Sequence, residues 1–77
     1  MLNSKLRWQC RRGMRELDEL LVSYLNEYYD ESSENEKSAF HELLKLSDPD
    51  LIKLLLTPYK SEFKSINLII EKILITR

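Results

Sequence analysis

The sequence predicts an all-α fold, a compact bundle of five short helices. Apolar residues recur three and four positions apart in several segments, as on one face of a helix. No segment shows the sustained alternation of apolar and polar residues that is typical of a half-buried strand. With 77 residues, 43% hydrophobic and 32% charged, the chain is expected to form one small helical domain over residues 1–77 and to be a soluble monomer.

The first helix is predicted from about Ser4, because Leu2, Leu6 and Cys10 lie at four-residue intervals and form one apolar stripe. Asn3 or Ser4 can cap its start. Gly13, the only glycine in the chain, is expected to end it, since glycine readily adopts the left-handed conformation that closes helices.

The second helix is predicted from about Met14 to Tyr28. Glu16 and Asp18 in its first turn place negative charge where the helix dipole favours it. Its core-facing stripe consists of residues at the spacing of an amphipathic helix: Met14, Leu17, Leu20, Leu21, Tyr24, Leu25 and Tyr28.

The third helix follows a polar turn and opens with the capping-box pattern of Ser33 and Glu36. It is predicted to continue to about Leu46. Its core-facing residues are Ala39 or Phe40, Leu43, Leu44 and Leu46. His41 falls beside this stripe and is interpreted as a surface or boundary residue without a chemical role.

The fourth helix is predicted to open with Asp48 as N-cap, Pro49 in the first turn and Asp50 at the positive end of the dipole. The pair Thr57-Pro58 is expected to stop it. A fifth helix is predicted from Ser61 or Glu62. Its core-facing residues are Ile66, Ile69, Ile70, Ile73 and Leu74.

The composition argues against an enzyme. One glycine cannot build a glycine-rich phosphate loop, and no Ser/His/Asp or Cys/His set has suggestive spacing. Cys10 and His41 are single residues of their kinds, which argues against an internal disulfide or a metal site and favours a reducing compartment. We therefore expect no catalytic residue, no metal and no stably bound cofactor.

Charge and hydropathy limit the partners. A net charge of −1 gives no overall attraction to nucleic acid or anionic lipid. The basic residues near the start flank a helix junction and do not line a recognition helix, which disfavours DNA binding. No apolar run approaches the roughly 20 residues of a membrane span, and no secretory signal is visible, so we expect no membrane insertion and a cytoplasmic location.

The segment Arg11 to Glu16 is the candidate partner-binding site, with the residues Trp8, Arg11, Arg12, Gly13, Arg15 and Glu16. It combines guanidinium donors, a carboxylate acceptor and a glycine that permits close backbone approach. Such a patch suits docking better than catalysis. Two alternatives stay open here: Glu16 as an ordinary helix N-terminal acid paired with Arg12 or Arg15, and Trp8 as a packing tryptophan.

This segment resembles a known family. Arg12-Gly13-Met14-Arg15-Glu16 matches the RGxxE signature of the SdhE-type FAD assembly factors of succinate dehydrogenase, called flavinators. Trp8, Cys10, Arg11, Leu17 and Asp18 stand as in the bacterial members, and the run Asp48 to Leu51 is similar to a second family block. Leu54 departs from the family, whose members commonly carry tryptophan there.

The resemblance implies a five-helix fold and a function. Members of the family promote covalent attachment of FAD to a histidine of the succinate dehydrogenase flavoprotein subunit and, in bacteria, of the related fumarate reductase subunit. It further implies that Arg12, Gly13 and Glu16 meet the client subunit near its flavin site, with the chemistry belonging to client and cofactor. The competing hypothesis is a helical interaction or regulatory module, antitoxin-like, with no role in flavinylation.

Overall fold

In a computed structural model, residues 4–75 are described and form five α-helices with no strand among them. The helices are α1 (Ser4–Gln9), α2 (Arg15–Glu27), α3 (Glu34–Leu44), α4 (Asp48–Leu56) and α5 (Lys64–Ile75), with a short 3₁₀ turn at Tyr29–Glu31 between α2 and α3. The radius of gyration is 11.3 Å, close to the roughly 11.5 Å expected for a compact chain of this length. The prediction of an all-α bundle of five short helices is confirmed.

One continuous hydrophobic cluster receives side chains from all five helices. Tyr24, Phe40, Leu43 and Ile73 are fully buried at its centre, and the rings of Tyr24 and Phe40 lie 4.9 Å apart. Helix α5 packs against α3 and α2, so its isoleucine face closes the bundle. The stripes predicted for the second, third and fifth helices supply most of this core.

Two helix ends are capped by the residues that the sequence predicted. Ser33 and Glu36 form the predicted capping box, with the Glu36 N–H donating to Ser33 Oγ at 3.1 Å and the Ser33 N–H donating to Glu36 Oε1 at 3.0 Å. Thr57 is the C-cap of α4, where its hydroxyl donates to the Lys53 carbonyl. Both predictions are confirmed.

Other boundaries differ from the prediction. Helix α3 ends at Leu44, because the next two amides bond three residues back and tighten the last turn. The N-cap of α4 is Ser47, so Asp48 is the first helical residue and not the cap. Helix α5 begins at Lys64, because the Asn67 side chain bonds both the N–H and the carbonyl of Ser61 and holds the preceding segment as a loop.

The prediction for Tyr28 is wrong. Tyr28 was expected in the core but is exposed, whereas Tyr29 is buried and its hydroxyl lies 2.8 Å from Nε2 of the exposed His41. The predictions for Leu2 and for a cap at Asn3 fall outside the described residues. The same holds for the Ser4 side chain.

Candidate functional site

The candidate site is the junction between α1 and α2, residues 10–14. Helix α1 ends at Gln9, and the N–H groups of Cys10 and Arg11 reach back to carbonyls of its last turn. Gly13 lies beyond this end with a φ of +79°, so it has the expected left-handed conformation. The prediction that Gly13 itself closes the first helix is wrong, since the glycine instead turns the chain into α2.

Arg12 fastens the junction to the rest of the bundle. Its Nε donates to the Gln9 carbonyl at 3.1 Å, and its Nη1 donates to the Leu46 carbonyl at 3.2 Å. Nη1 also lies 3.3 Å from Asp48 Oδ1, and Nη2 donates to the Leu44 carbonyl. The side chain is only 17% exposed. Arg12 is therefore the inner member of the motif.

The start of α2 is held by a carboxylate from its own first turns. The Arg12 backbone N–H donates to Asp18 Oδ1 at 2.6 Å. Met14 is the N-cap with extended backbone, and its half-buried side chain packs on the core. The charge-assisted hydrogen bond that Asp18 accepts and the apolar contact of Met14 with the core thus fix the angle at which the chain enters α2.

The other predicted site residues, Trp8, Arg11, Arg15 and Glu16, face solvent. Trp8 is 77% exposed, and Arg11 and Glu16 are exposed without a side-chain hydrogen bond to any described residue. Arg15 pairs with Glu19 at 3.3 Å, and both are exposed. The structure therefore gathers five solvent-facing groups, including the bare edge of Gly13, at one helix junction.

Two earlier interpretations are corrected. Trp8 is not a packing tryptophan, because helix α1 turns it away from the apolar face that carries Leu6 and Cys10. Glu16 does not pair with Arg12 or Arg15. Those guanidiniums bond Asp48 and Glu19 instead, which leaves the Glu16 carboxylate available to another molecule.

Gly13 is open on its outer side. A methyl group built in place of its hydrogen would meet no described atom within 4 Å apart from those of Gly13 itself and of its two chain neighbours. No neighbour within the described chain therefore requires the small residue. Its positive φ does favour glycine over other residues, and the space beside it remains available for another backbone.

The described surface has a groove beside Glu16 and another near the start of α5. The groove beside the motif has a volume of about 350 Å³ and is lined by Glu16, Glu19, Leu20, Ser23 and Leu56. It joins carboxylates to an apolar floor. A second groove of about 400 Å³ lies between α3, α4 and the segment leading into α5; aromatic residues Tyr59 and Phe63 line it.

Cys10 is fully buried directly before the motif. Burial raises the pKa of its thiol from 9.0 to about 11, and the nearby Arg12 and Arg7 cations offset this only in part. A protonated buried thiol is a poor nucleophile. Among residues 4–75, no three His, Cys, Asp or Glu side chains are grouped to hold a metal ion, and none of the described helices has the length and apolar content to cross a membrane.

Sequence reasoning did not assign Asp18 and Asp48 to the site. Asp18 was interpreted as an acid of the first helical turn, and Asp48 as a helix cap. Asp18 does lie in the first turn of α2, and it also accepts a hydrogen bond from the Arg12 N–H, 6 residues away. Asp48 is not the cap, and its carboxylate accepts from the Arg12 side chain over 36 residues. The Asp48 contact has no local sequence signal, because it depends on how α4 packs beside the junction.

Comparison with known proteins decides the family. A family profile described as "Flavinator of succinate dehydrogenase" matches residues 4–76, nearly the whole chain. The chain belongs to this flavinator family. The match includes the junction motif and every described helix.

Bacterial proteins named FAD assembly factor SdhE are similar in sequence to this chain. The chain is 36% identical over 69 residues to an FAD assembly factor SdhE of Haemophilus ducreyi, which covers 90% of this chain and 84% of that protein. It is 46% identical over 69 residues to the FAD assembly factor SdhE of Coxiella burnetii, covering 86% and 84%. The relative from Colwellia psychrerythraea is 37% identical over 71 residues, covering 92% and 78%.

Proposed function

We propose that this protein is an assembly factor that promotes covalent attachment of FAD to the flavoprotein subunit of succinate dehydrogenase. Membership of the flavinator family and the names of the bacterial relatives support this role. The related fumarate reductase subunit is the second client that we propose. The new bond forms within the client, between its own FAD and a histidine, so this chain acts as a chaperone and not as an enzyme.

The docking surface in this proposal is the α1–α2 junction, with Trp8, Arg11, Gly13, Arg15 and Glu16 facing the client and Arg12 behind them. One observation carries the assignment most strongly. Glu16 is exposed and has no bonding partner among the described residues, while Arg12 bonds Asp48 and Arg15 bonds Glu19. A carboxylate left in this state beside an open groove is suited to a cationic or amide group of another protein.

Each exposed group has a distinct part in docking. Trp8 offers a large amphipathic ring of the kind that dominates protein interfaces. Gly13 lets the client backbone approach closely, because no described residue beyond its chain neighbours lies within 4 Å of the position that a Cβ would occupy. Arg11 and Arg15 supply positive charge that steers the encounter with acidic client surface.

Docking would assist flavinylation by positioning. Attachment requires a histidine nitrogen to meet the 8-methyl group of the flavin, and alignment of two reacting groups is a large part of such a barrier. We propose that the bound assembly factor holds the immature client in the aligned arrangement. In this account the chain binds no cofactor stably, contacts no nucleic acid, does not insert into membranes, and works as a monomer in the bacterial cytoplasm.

The test is covalent flavin formation in a denatured client. A flavin-free succinate dehydrogenase flavoprotein subunit is incubated with FAD, a dicarboxylate, and wild type, Glu16→Ala, Glu27→Ala or no added protein. Flavin fluorescence is then read in a denaturing gel. Glu27→Ala is the matched control, because it removes an exposed acid from the other end of α2.

The proposal expects a strong signal with wild type and with Glu27→Ala, and a signal near the no-protein level with Glu16→Ala. Equal signals in all four samples would contradict it and favour a helical regulatory module without a role in flavinylation. Circular dichroism of each variant establishes that the fold is retained.

A further inference from the structure

The side chain of Arg12 makes more hydrogen bonds within the protein than those of its neighbours Arg11 and Arg15. A guanidinium has five N–H donors, and four of those on Arg12 already point at acceptors in this chain. Arg11 and Arg15 on either side are exposed. Arg12 therefore has a different role from its neighbours Arg11 and Arg15.

Three of the four acceptors of the Arg12 guanidinium lie at helix ends, and the fourth, the Leu46 carbonyl, lies in the loop between α3 and α4. Gln9 is the last residue of α1, Leu44 is the last residue of α3, and Asp48 is the first residue of α4. The carbonyl ends of helices carry partial negative charge, so a guanidinium between two of them is stabilised by both. Its backbone N–H adds Asp18 of α2 as a fourth helix.

We infer that Arg12 is a positioning residue for flavinylation, which sets the shape of the docking surface through Asp48 and the α3–α4 loop and does not itself bind the client. This inference rests on the proposed function. The planar fork of arginine can reach several acceptors at once in fixed directions, which a flexible ammonium cannot. It thereby holds the backbone on which Gly13 and Glu16 are presented.

The inference makes Asp48 part of the docking machinery, although it lies outside the motif. Its side chain is 41% exposed and its carboxylate reaches Arg12 at 3.3 Å. Loss of this carboxylate would loosen the guanidinium and shift the junction. Loss of a nearby exposed acid such as Glu42, which pairs only with Lys45 among the described residues, would not.

The experiment compares Arg12→Ala, Asp48→Ala, Asp48→Asn, the double variant Arg12→Ala/Asp48→Ala and the control Glu42→Ala. Two quantities are measured for each: the rate of covalent flavin formation in the client, and the amide resonance of Gly13 in a ¹H–¹⁵N spectrum of the free protein. Gly13 is the only glycine, so its resonance is readily assigned. Circular dichroism and urea unfolding report the global fold.

The expected result is a loss of about tenfold in rate for Arg12→Ala and about threefold for Asp48→Ala, with the Gly13 resonance shifted in both. Asp48→Asn keeps an acceptor oxygen and should restore most of the rate. The double variant should be no slower than Arg12→Ala, because the two residues act through one contact.

Two results would overturn the inference. Asp48→Ala could match wild type in rate and in the Gly13 resonance, or the two single losses could multiply in the double variant, as independent client contacts would. If Arg12→Ala is unfolded, the comparison of Asp48→Ala with Asp48→Asn still tests whether an acceptor oxygen at position 48 positions the junction. Failure of wild type itself to raise covalent flavin would contradict the proposed function. In that case the Gly13 resonance of the Asp48 variants would be the only test of whether Arg12 and Asp48 position the junction.

Discussion

The backbone N–H of Arg12 donates to Oδ1 of Asp18 at 2.6 Å, so the residue before Gly13 is tied to the first turns of α2. The same residue is tied by its side chain to α3 and α4. A motif that is contiguous in sequence is thus divided in space, with Arg12 turned inward and its neighbours turned outward. This division gives each substitution in the motif a different expected result.

Removal of the Asp18 carboxylate should destabilise the fold. In Asp18→Ala the Arg12 N–H loses its charged acceptor, and we expect the free energy of unfolding to fall by about 1–3 kcal/mol. Asp18→Asn keeps an oxygen acceptor and should lose less. Urea unfolding measures both, with Asp30→Ala as an exposed control. Equal stability of Asp18→Ala and Asp30→Ala would contradict the role given to Asp18.

Substitutions at Gly13 separate backbone strain from client contact. A φ of +79° costs an ordinary residue about 1–2 kcal/mol, and asparagine less. Gly13→Asn, Gly13→Ala and Gly13→Arg should remain folded, since this cost is small and no described residue beyond the two chain neighbours comes within 4 Å of the added carbon. Their unfolding and their client affinity are measured in parallel.

Client affinity should fall with side-chain size at position 13. Gly13→Arg should abolish measurable binding of the flavoprotein subunit, whereas Gly13→Asn should retain part of it. If Gly13→Ala and Gly13→Arg are both unfolded by circular dichroism, the glycine is required by the fold. If Gly13→Arg is folded and binds as wild type does, the junction is not the docking surface.

Trp8 should be a binding hot spot with little effect on stability. Its ring is 77% exposed, so Trp8→Ala should leave urea unfolding nearly unchanged. Client affinity should drop by at least about tenfold, because truncation of an interface tryptophan typically costs 2 kcal/mol or more. Phe63→Ala is the matched control, since Phe63 is 67% exposed and lies before α5. Similar affinity of both variants would count against a docking role for Trp8.

Cys10 should make stability depend on alkaline pH. Its pKa is about 11 in the folded protein and near 9.0 when exposed, so above pH 9 the unfolded chain binds fewer protons than the folded one. Stability contributed by the buried thiol is complete below pH 9 and is lost as pH rises toward 11, by on the order of 2 kcal/mol.

The control for this prediction is Cys10→Ala, which lacks the thiol. Burial also raises the pKa of Tyr29, with the acids near it adding to the effect, but Tyr29 is common to both proteins and cancels in the difference. The stability advantage of wild type over Cys10→Ala should shrink between pH 9 and 11. A constant advantage across that range would show that Cys10 does not titrate as described.

The sequence predicted those features that depend on neighbours along the chain. The capping box of Ser33 and Glu36 and the helical stripe of α2 are such features, and both are observed. The positive φ of Gly13 was also expected. Each follows from residue type and spacing over a few positions.

Features that depend on packing between helices were not predicted. The Arg12–Asp48 contact spans 36 residues, and the N-cap of α4 is Ser47 where Asp48 was expected. The exposure of Trp8 and the absence of a described partner for Glu16 likewise depend on which way α1 and α2 turn at the junction. The spacing of residues along the sequence does not determine the relative orientation of α1 and α2.

The most direct test of the docking surface is amide hydrogen exchange of this protein, free and bound to the flavin-free succinate dehydrogenase flavoprotein subunit. The account predicts that exchange slows on binding at residues 10–16, the junction and the start of α2. Unchanged exchange there, together with slowed exchange at residues 59–66 beside the second groove, would contradict it and move the docking surface to the other side of α4.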